Sequence, residues 1–151
     1  MTDLSFRSIE TFRGVVYPWH CDAMGHMNTQ FYAGLYDGAT LHFLALLCPT
    51  AELQSAGWGW ADVRQLIEYK RESVAGDLLV VRSTLTRLGN RSIEYRHDLV
   101  DAETREVHAT SEQVTVLFHL AHRKAVPLSD AIRKRAAALQ PETAARLDAD
   151  R

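Results

Sequence analysis

The chain has 151 residues, a formal charge of -2, 46% hydrophobic and 24% charged residues. That is enough chain and apolar content for one packed domain, and the scattered charges form no basic block of the kind that holds nucleic acid or an anionic membrane. No apolar run approaches the ~20 residues of a membrane span, the start carries no secretory signal, and Cys21 and Cys48 read as free thiols, so a single cytoplasmic domain over residues 1–151 is expected.

Residues Thr11 to Tyr17, apolar and partly β-branched, predict a strand that Pro18 ends. Trp19 to Met27 mixes Gly, His, Asp and Cys and reads as a loop. Asn28 is a good helix N-cap. From Thr29 to about Leu47 apolar residues occupy nearly every side, among them Phe31, Tyr32, Leu35, Tyr36, Leu41, Phe43 and Leu46, which predicts a buried helix. Gly34 and Gly38 share one face of it and cost roughly 1 kcal/mol each relative to alanine, which predicts close approach of another backbone there.

Pro49 marks the exit, and a loop with Gly57 and Gly59 carries Trp58 and Trp60. Strands are then predicted at Val63–Glu72, Leu78–Arg87, Arg91–Val100 and Glu106–Leu120, with turns at Gly76-Asp77, Gly89-Asn90 and Asp101–Arg105. In the third of these, Ile93, Tyr95, His97 and Leu99 alternate with Ser92, Glu94, Arg96 and Asp98. A C-terminal helix with a solvated face and a polar tail follows from Ser129.

This order predicts the α+β class: a curved antiparallel β-sheet wrapped around one long buried helix, with a core of about 11–120 and a C-terminal helix and tail of about 128–151. One sheet face cannot bury a helix that is apolar on all sides, so a second copy is expected to complete the burial, in a homodimer or homotetramer.

The stretch Tyr17-Pro-Trp-His-Cys-Asp-Ala-Met-Gly-His-Met-Asn28 places Asp22 just before a helix N-terminus. Unpaired N–H groups and partial positive charge at that end suit a developing oxyanion. A carboxylate beside an oxyanion hole supplies the parts of an acyl-transfer site. The motif W-x-x-D-A-M-G-H-M-N-x-x-F-Y (Trp19 to Tyr32), with Asp37 and Gly76-Asp77, resembles the 4-hydroxybenzoyl-CoA thioesterase branch of the hotdog superfamily over roughly Thr11 to Leu120.

The resemblance implies an acyl-CoA thioesterase of hotdog fold, with Asp22 as nucleophile or general base and the backbone N–H near Thr29 polarising the thioester carbonyl. It implies CoA phosphate contacts from the turn Arg87-Leu-Gly-Asn-Arg91-Ser92, with Arg91 first, and Arg123 and Lys124 as further candidates. Many relatives carry an acid two residues before the catalytic aspartate, where this chain has His20, which suggests tuning of Asp22 by charge or hydrogen bond.

Each residue also has a plainer reading. Asp22 can cap a turn, His26 can bond backbone or meet substrate, and Asn28 is a cap before it is a site residue. Tyr32 and Tyr36 suit the core or an interface as well as a substrate wall. Asp37 on an apolar helix calls for a hydrogen-bond partner, and Trp58 and Trp60 either wall an acyl pocket, one able to take an aryl or quaternary ammonium group, or simply pack. His20, Cys21, Asp22 and His26 have no spacing that supports metal chemistry, so no metal is expected, and no cofactor beyond the CoA of the substrate. Two competing functions remain: a hotdog (3R)-hydroxyacyl or enoyl thioester hydratase-dehydratase, which His26 allows, and a non-catalytic acyl-CoA-binding protein.

Overall fold

A computed structural model describes residues 6–139; the polar tail expected after the C-terminal helix lies outside them. In chain order the elements are β1 (Ile9–Val15), a single 3-10 turn (Pro18–His20), α1 (Thr29–Leu47), α2 (Thr50–Ala56), β2 (Trp58–Tyr69), β3 (Leu78–Leu88), β4 (Ser92–Asp101), β5 (Val107–His119), β6 (Lys124–Ala125) and α3 (Asp130–Ala137). All strands pair antiparallel in one sheet, in the order β1-β3-β4-β5-β2, with β6 beside β5. Register shifts interrupt all four long pairings, and such bulges bend strands and let a sheet curl.

The N-cap expectation holds: the Asn28 side chain accepts a hydrogen bond from Gln30 N, and α1 runs from Thr29 to Leu47. Ser129 caps α3 in the same way through Ile132 N. On the sheet face toward α1, Ile93, Tyr95, His97 and Leu99 are all buried, so the alternation of β4 survives in three dimensions. The first half of α1 packs Tyr32, Tyr36 and Ala39 against Met27, Leu79, Val81 and Leu99. The second half packs Phe43, Leu44 and Leu47 against Leu85, Ile93, Leu117 and, from α3, Ile132. These two clusters are opposite ends of a helix roughly 28 Å long.

Several expectations change. The turns predicted between successive strands imply serial hairpins; β3–β4 and β4–β5 are such hairpins, but β2 pairs with β5 and β3 also with β1. Residues 70–77 carry the chain across instead of turning back. Lys70 and Arg71 donate to His108 O, Met27 N donates to Ser73 O, and Gly76 N donates to Val16 O. Trp58 and Trp60 lie in β2, not in a loop, because α2 and its left-handed cap Gly57 take up the preceding residues. Both indoles pack on the cluster at the far end of α1. Gly38 does face a close neighbour, but it is the Phe12 ring, 2.8 Å from where a Cβ would stand, and Gly34 faces open space.

Within one chain α1 is covered on one side only. Leu41 and Leu46 stay 63% and 46% exposed, and Asp37 is exposed with no hydrogen-bond or ion-pair partner among the described residues. Among the described residues no single helix is long and apolar enough to cross a membrane.

Under α1 the sheet carries a buried polar chain. Ser83 Oγ bonds Thr11 Oγ1 (2.7 Å) and His97 Nδ1 (2.6 Å), and His97 Nε2 meets Thr40 Oγ1 at 2.9 Å. Farther along, Tyr95 OH meets Thr115 Oγ1 at 2.8 Å, which donates to Asp62 Oδ1 at 2.6 Å. No anion sits against His97, so burial alone pushes its pKa from 6.5 down to about 4. The unfolded chain therefore binds a proton that the folded one resists, and stability falls as pH drops from 6.5 toward 4. Thermal melts across that window should show Tm falling, with a shallower slope in His97→Gln; an unchanged slope would contradict this origin.

Candidate active site

The loop between the 3-10 turn and α1 closes on itself. Cys21 and Met27 form an isolated antiparallel bridge, Asp22 N donates to His26 O (3.1 Å), and Gly25 N donates to Asp22 O (2.9 Å). Gly25 has φ +84°, a left-handed conformation that glycine adopts without strain. The turn fixes Asp22 so that Oδ1 accepts Met24 N–H at 2.9 Å and Oδ2 accepts Asn28 Nδ2–H at 2.9 Å. The same Asn28 carboxamide accepts Gln30 N–H through Oδ1 at 3.2 Å. One side chain thus ties the Asp22 carboxylate to the tip of α1. Between its two contacts, Thr29 N–H finds no acceptor among the described residues.

A cleft of about 240 Å³ opens at that tip, lined by His26, Met27, Thr29, Tyr32, Tyr69, Lys70, Arg71 and Glu72. Asp22 does not line it, but its backbone N–H bonds the lining His26 and its carboxylate bonds Asn28, which stands between the lining Met27 and Thr29. The Tyr32 and Tyr69 rings meet edge-on at 5.0 Å. Along the rim His26 Nε2 lies 3.6 Å from Glu72 Oε1, Lys70 Nζ lies 3.6 Å from Glu68 Oε1, and Arg71 pairs with Glu106. Tyr69 to Glu72 were read only as the end of a strand. Their side of the cleft was hidden because it forms where the crossover passes the helix tip, a contact between segments distant in sequence.

The Asn28 amide, then Met24 N–H, hold the Asp22 carboxyl below the ordinary carboxylate range; burial opposes them, and the charge interaction with His26 adds less. Asn28→Ala removes both an N-cap and that donor. Chemical denaturation should show a loss of about 1 kcal/mol, and the Asp22 carboxyl should titrate at higher pH in NMR. No upward movement would mean that the contact does not govern the carboxylate.

The plain reading of Asp22 is met: it caps a turn through Met24 N–H, and Asn28 ties it to the tip of α1. His20 does not bond Asp22; its Nδ1 accepts Tyr17 N–H (3.1 Å) and its ring lies on Phe31, 4.8 Å between centroids. The turn carrying Arg87, Arg91 and Ser92 stands at the other end of α1, with Trp58, because Arg91 O bonds Leu117 N in the far cluster. Arg87 is also bound to Glu94 at 2.7 Å, whereas Arg91 has no ion-pair partner among the described residues. Arg123 lies over Phe118 and Lys124 forms part of β6, again at the far end. A single chain therefore unites Asp22, His26, Asn28, Thr29 and Tyr32, but not the candidate phosphate ligands. Among the described residues no three His, Cys, Asp or Glu side chains converge as a metal site would require.

A sheet curled around one central helix is the architecture of the hotdog thioesterases. The thioesterase-like superfamily model matches residues 16–136, and the chain belongs to that family of thioester hydrolases. Similar solved folds include the probable thioesterase YbaW from Escherichia coli, with TM-score 0.73 and 21% identity over 86% of this chain and 98% of that one. A hypothetical protein from Staphylococcus aureus solved in complex with CoA has TM-score 0.79 and 14% identity over 93% of this chain and 89% of its own. A 1,4-dihydroxy-2-naphthoyl-CoA thioesterase from Synechocystis has TM-score 0.73 and 20% identity over 89% and 97%. No curated protein sequence matches significantly.

Proposed function

We propose that this chain hydrolyses an acyl-CoA to the free acid and CoA, at a site centred on Asp22 and Thr29 N–H. The reading is carried by the Asn28 carboxamide, which holds the carboxylate beside a helix tip whose first residue, Thr29, lines a cleft and whose N–H is unpaired among the described residues. That N–H polarises the thioester carbonyl and stabilises the oxyanion. Asp22 either takes the proton of an attacking water or attacks the carbonyl carbon itself, giving an anhydride that water then opens. In both routes the C–S bond breaks and sulfur leaves as a thiolate, whose pKa near 8.5 requires little protonation.

The working unit in this reading is a dimer. Among the described residues β2 pairs only with β5, leaving a long free edge on which Val63, Leu66 and Tyr69 stand exposed. Antiparallel pairing of two β2 edges about a two-fold axis sets the Trp58 end of one copy against the Tyr69 end of the other. The second copy's Arg91 turn then lies about 10 Å in from its own edge, two strands over, on the side of the first copy's cleft. There its free guanidinium meets the CoA phosphates.

A screen measuring thiol release from short, long, aromatic and charged acyl-CoAs tests the activity; no release from any of them would end it. The His26–Glu72 pair in the cleft favours a second reading, hydration of an enoyl thioester. That reaction consumes the enoyl chromophore without releasing thiol, so adding an enoyl-CoA to the screen and following its absorbance separates the two.

A further inference from the structure

Behind the cleft are two polar residues that the hydrolysis does not use. Ser73, in the crossover between β2 and β3, and His108, near the start of β5, are 0% and 1% exposed. Ser73 Oγ and His108 Nδ1 lie 2.7 Å apart. Tyr32 OH donates to Ser73 Oγ at 3.4 Å, which leaves the serine hydrogen for His108 Nδ1 and puts the ring proton on Nε2. His108 Nε2 is itself buried with no partner among the described residues. An orphaned polar atom in the interior is costly, so this histidine is not present merely to fill space.

The backbone of the pair shows what it holds. Ser73 O accepts Met27 N–H at 2.7 Å, and His108 O accepts Lys70 N–H at 2.8 Å and Arg71 N–H at 2.9 Å. Met27, Tyr32, Lys70 and Arg71 all line the cleft, whereas Ser73 and His108 do not. Every wall of the cleft is therefore bonded to one buried unit: the Asp22 loop through Met27, the first turn of α1 through Tyr32, and the opposite wall through Lys70 and Arg71. Ser73 cannot act as a nucleophile, because its hydroxyl has no access to the cleft.

We infer that Ser73 and His108 are a positioning pair that fixes the opposite wall of the cleft relative to the Asp22 loop and Thr29 N–H. This rests on the acyl-transfer reading of the cleft. A thioester held between the walls meets the carboxylate and the N–H at the right distance only while the pair is intact, and misplacement of about 1 Å costs on the order of a hundredfold in rate.

The test compares Ser73→Ala, His108→Leu and His108→Asn with wild type by steady-state thiol release, using the best acyl-CoA of the screen, with Tm recorded for each. Ser73→Ala and His108→Leu should lower kcat about 10- to 100-fold with KM changed less than about threefold. His108→Asn keeps a polar atom near the Nδ1 position and should recover most of kcat. An unchanged kcat in folded Ser73→Ala, or His108→Asn as impaired as His108→Leu, would overturn the inference. If His108→Leu does not fold, Ser73→Ala, which removes one oxygen atom, decides; a Ser73→Ala protein that also fails to fold makes the pair purely structural and overturns it too. Full turnover in Asp22→Asn would sink the catalytic reading, whereas an unchanged Ser73→Ala sinks only the positioning pair.

Discussion

Asp22→Asn is expected to lower kcat by about a thousandfold or more, with the protein still folded and still binding CoA. The substitution keeps the size of the side chain and removes its charge and one of its two acceptors. Asp22 is half-buried beside the cleft, and its two side-chain bonds go to Met24 N–H and Asn28 Nδ2, so the loss disturbs the loop locally and leaves both apolar clusters of the core untouched. The chemistry has no substitute for it: an amide can neither take a proton from water nor attack a carbonyl. The pH profile gives a second reading of the same group. Hydrolysis requires the ionised form, and the Asn28 amide, then Met24 N–H, hold the carboxyl below its ordinary range. Activity should therefore persist on the acid side to below pH 3.8 in so far as the fold survives, and decline only there. Steady-state thiol release at saturating substrate measures both effects. An Asp22→Asn enzyme within tenfold of wild type would refute the role of the carboxylate.

The part of the site close in sequence could be read directly. Asp22, His26, Asn28 and Thr29 occupy one loop and one cap, and the signals that place them are local: a glycine with positive φ, an Asx turn and an N-cap. The bounds of α1 and the buried face of β4 were legible for the same reason, since a cap and a strict alternation are properties of neighbouring residues. What was not legible depends on distant pairing. β2 looked like the first arm of a hairpin because β3 follows it, yet its partner is β5, and nothing within Trp58–Tyr69 states that choice. Ser73 stands in a charged connection with no periodicity, and only the crossover brings it against His108, behind the cleft. Composition also could not tell which side of α1 the sheet would cover. An apolar helix with one face still open within the chain is what motivates the dimer proposed above, and the location of Arg91 raises the same issue for the candidate site.

Mixing two inactive proteins should restore activity if the dimer reading holds. In one chain Asp22 and Arg91 stand at opposite ends of a helix roughly 28 Å long, so a site that uses both must draw them from different copies. Arg91→Ala should raise KM more than it lowers kcat, because it removes a contact to phosphate remote from the reacting carbonyl; at substrate levels well below the raised KM it is nearly inactive, as is Asp22→Asn at any level. In a mixed dimer of the two variants, one site receives both substitutions and the other receives neither. Random reassortment puts about half of the protein in mixed dimers and makes about a quarter of all sites wild type. Unfolding and refolding the two together, or co-expressing them with different tags, should therefore give close to a quarter of wild-type activity at low substrate, while each variant alone gives almost none. Because a site drawn from one chain would be defective in every possible pairing, activity that stays at the sum of the two separate variants would exclude a shared site and return Arg91 to the solvated turn it occupies within a single chain.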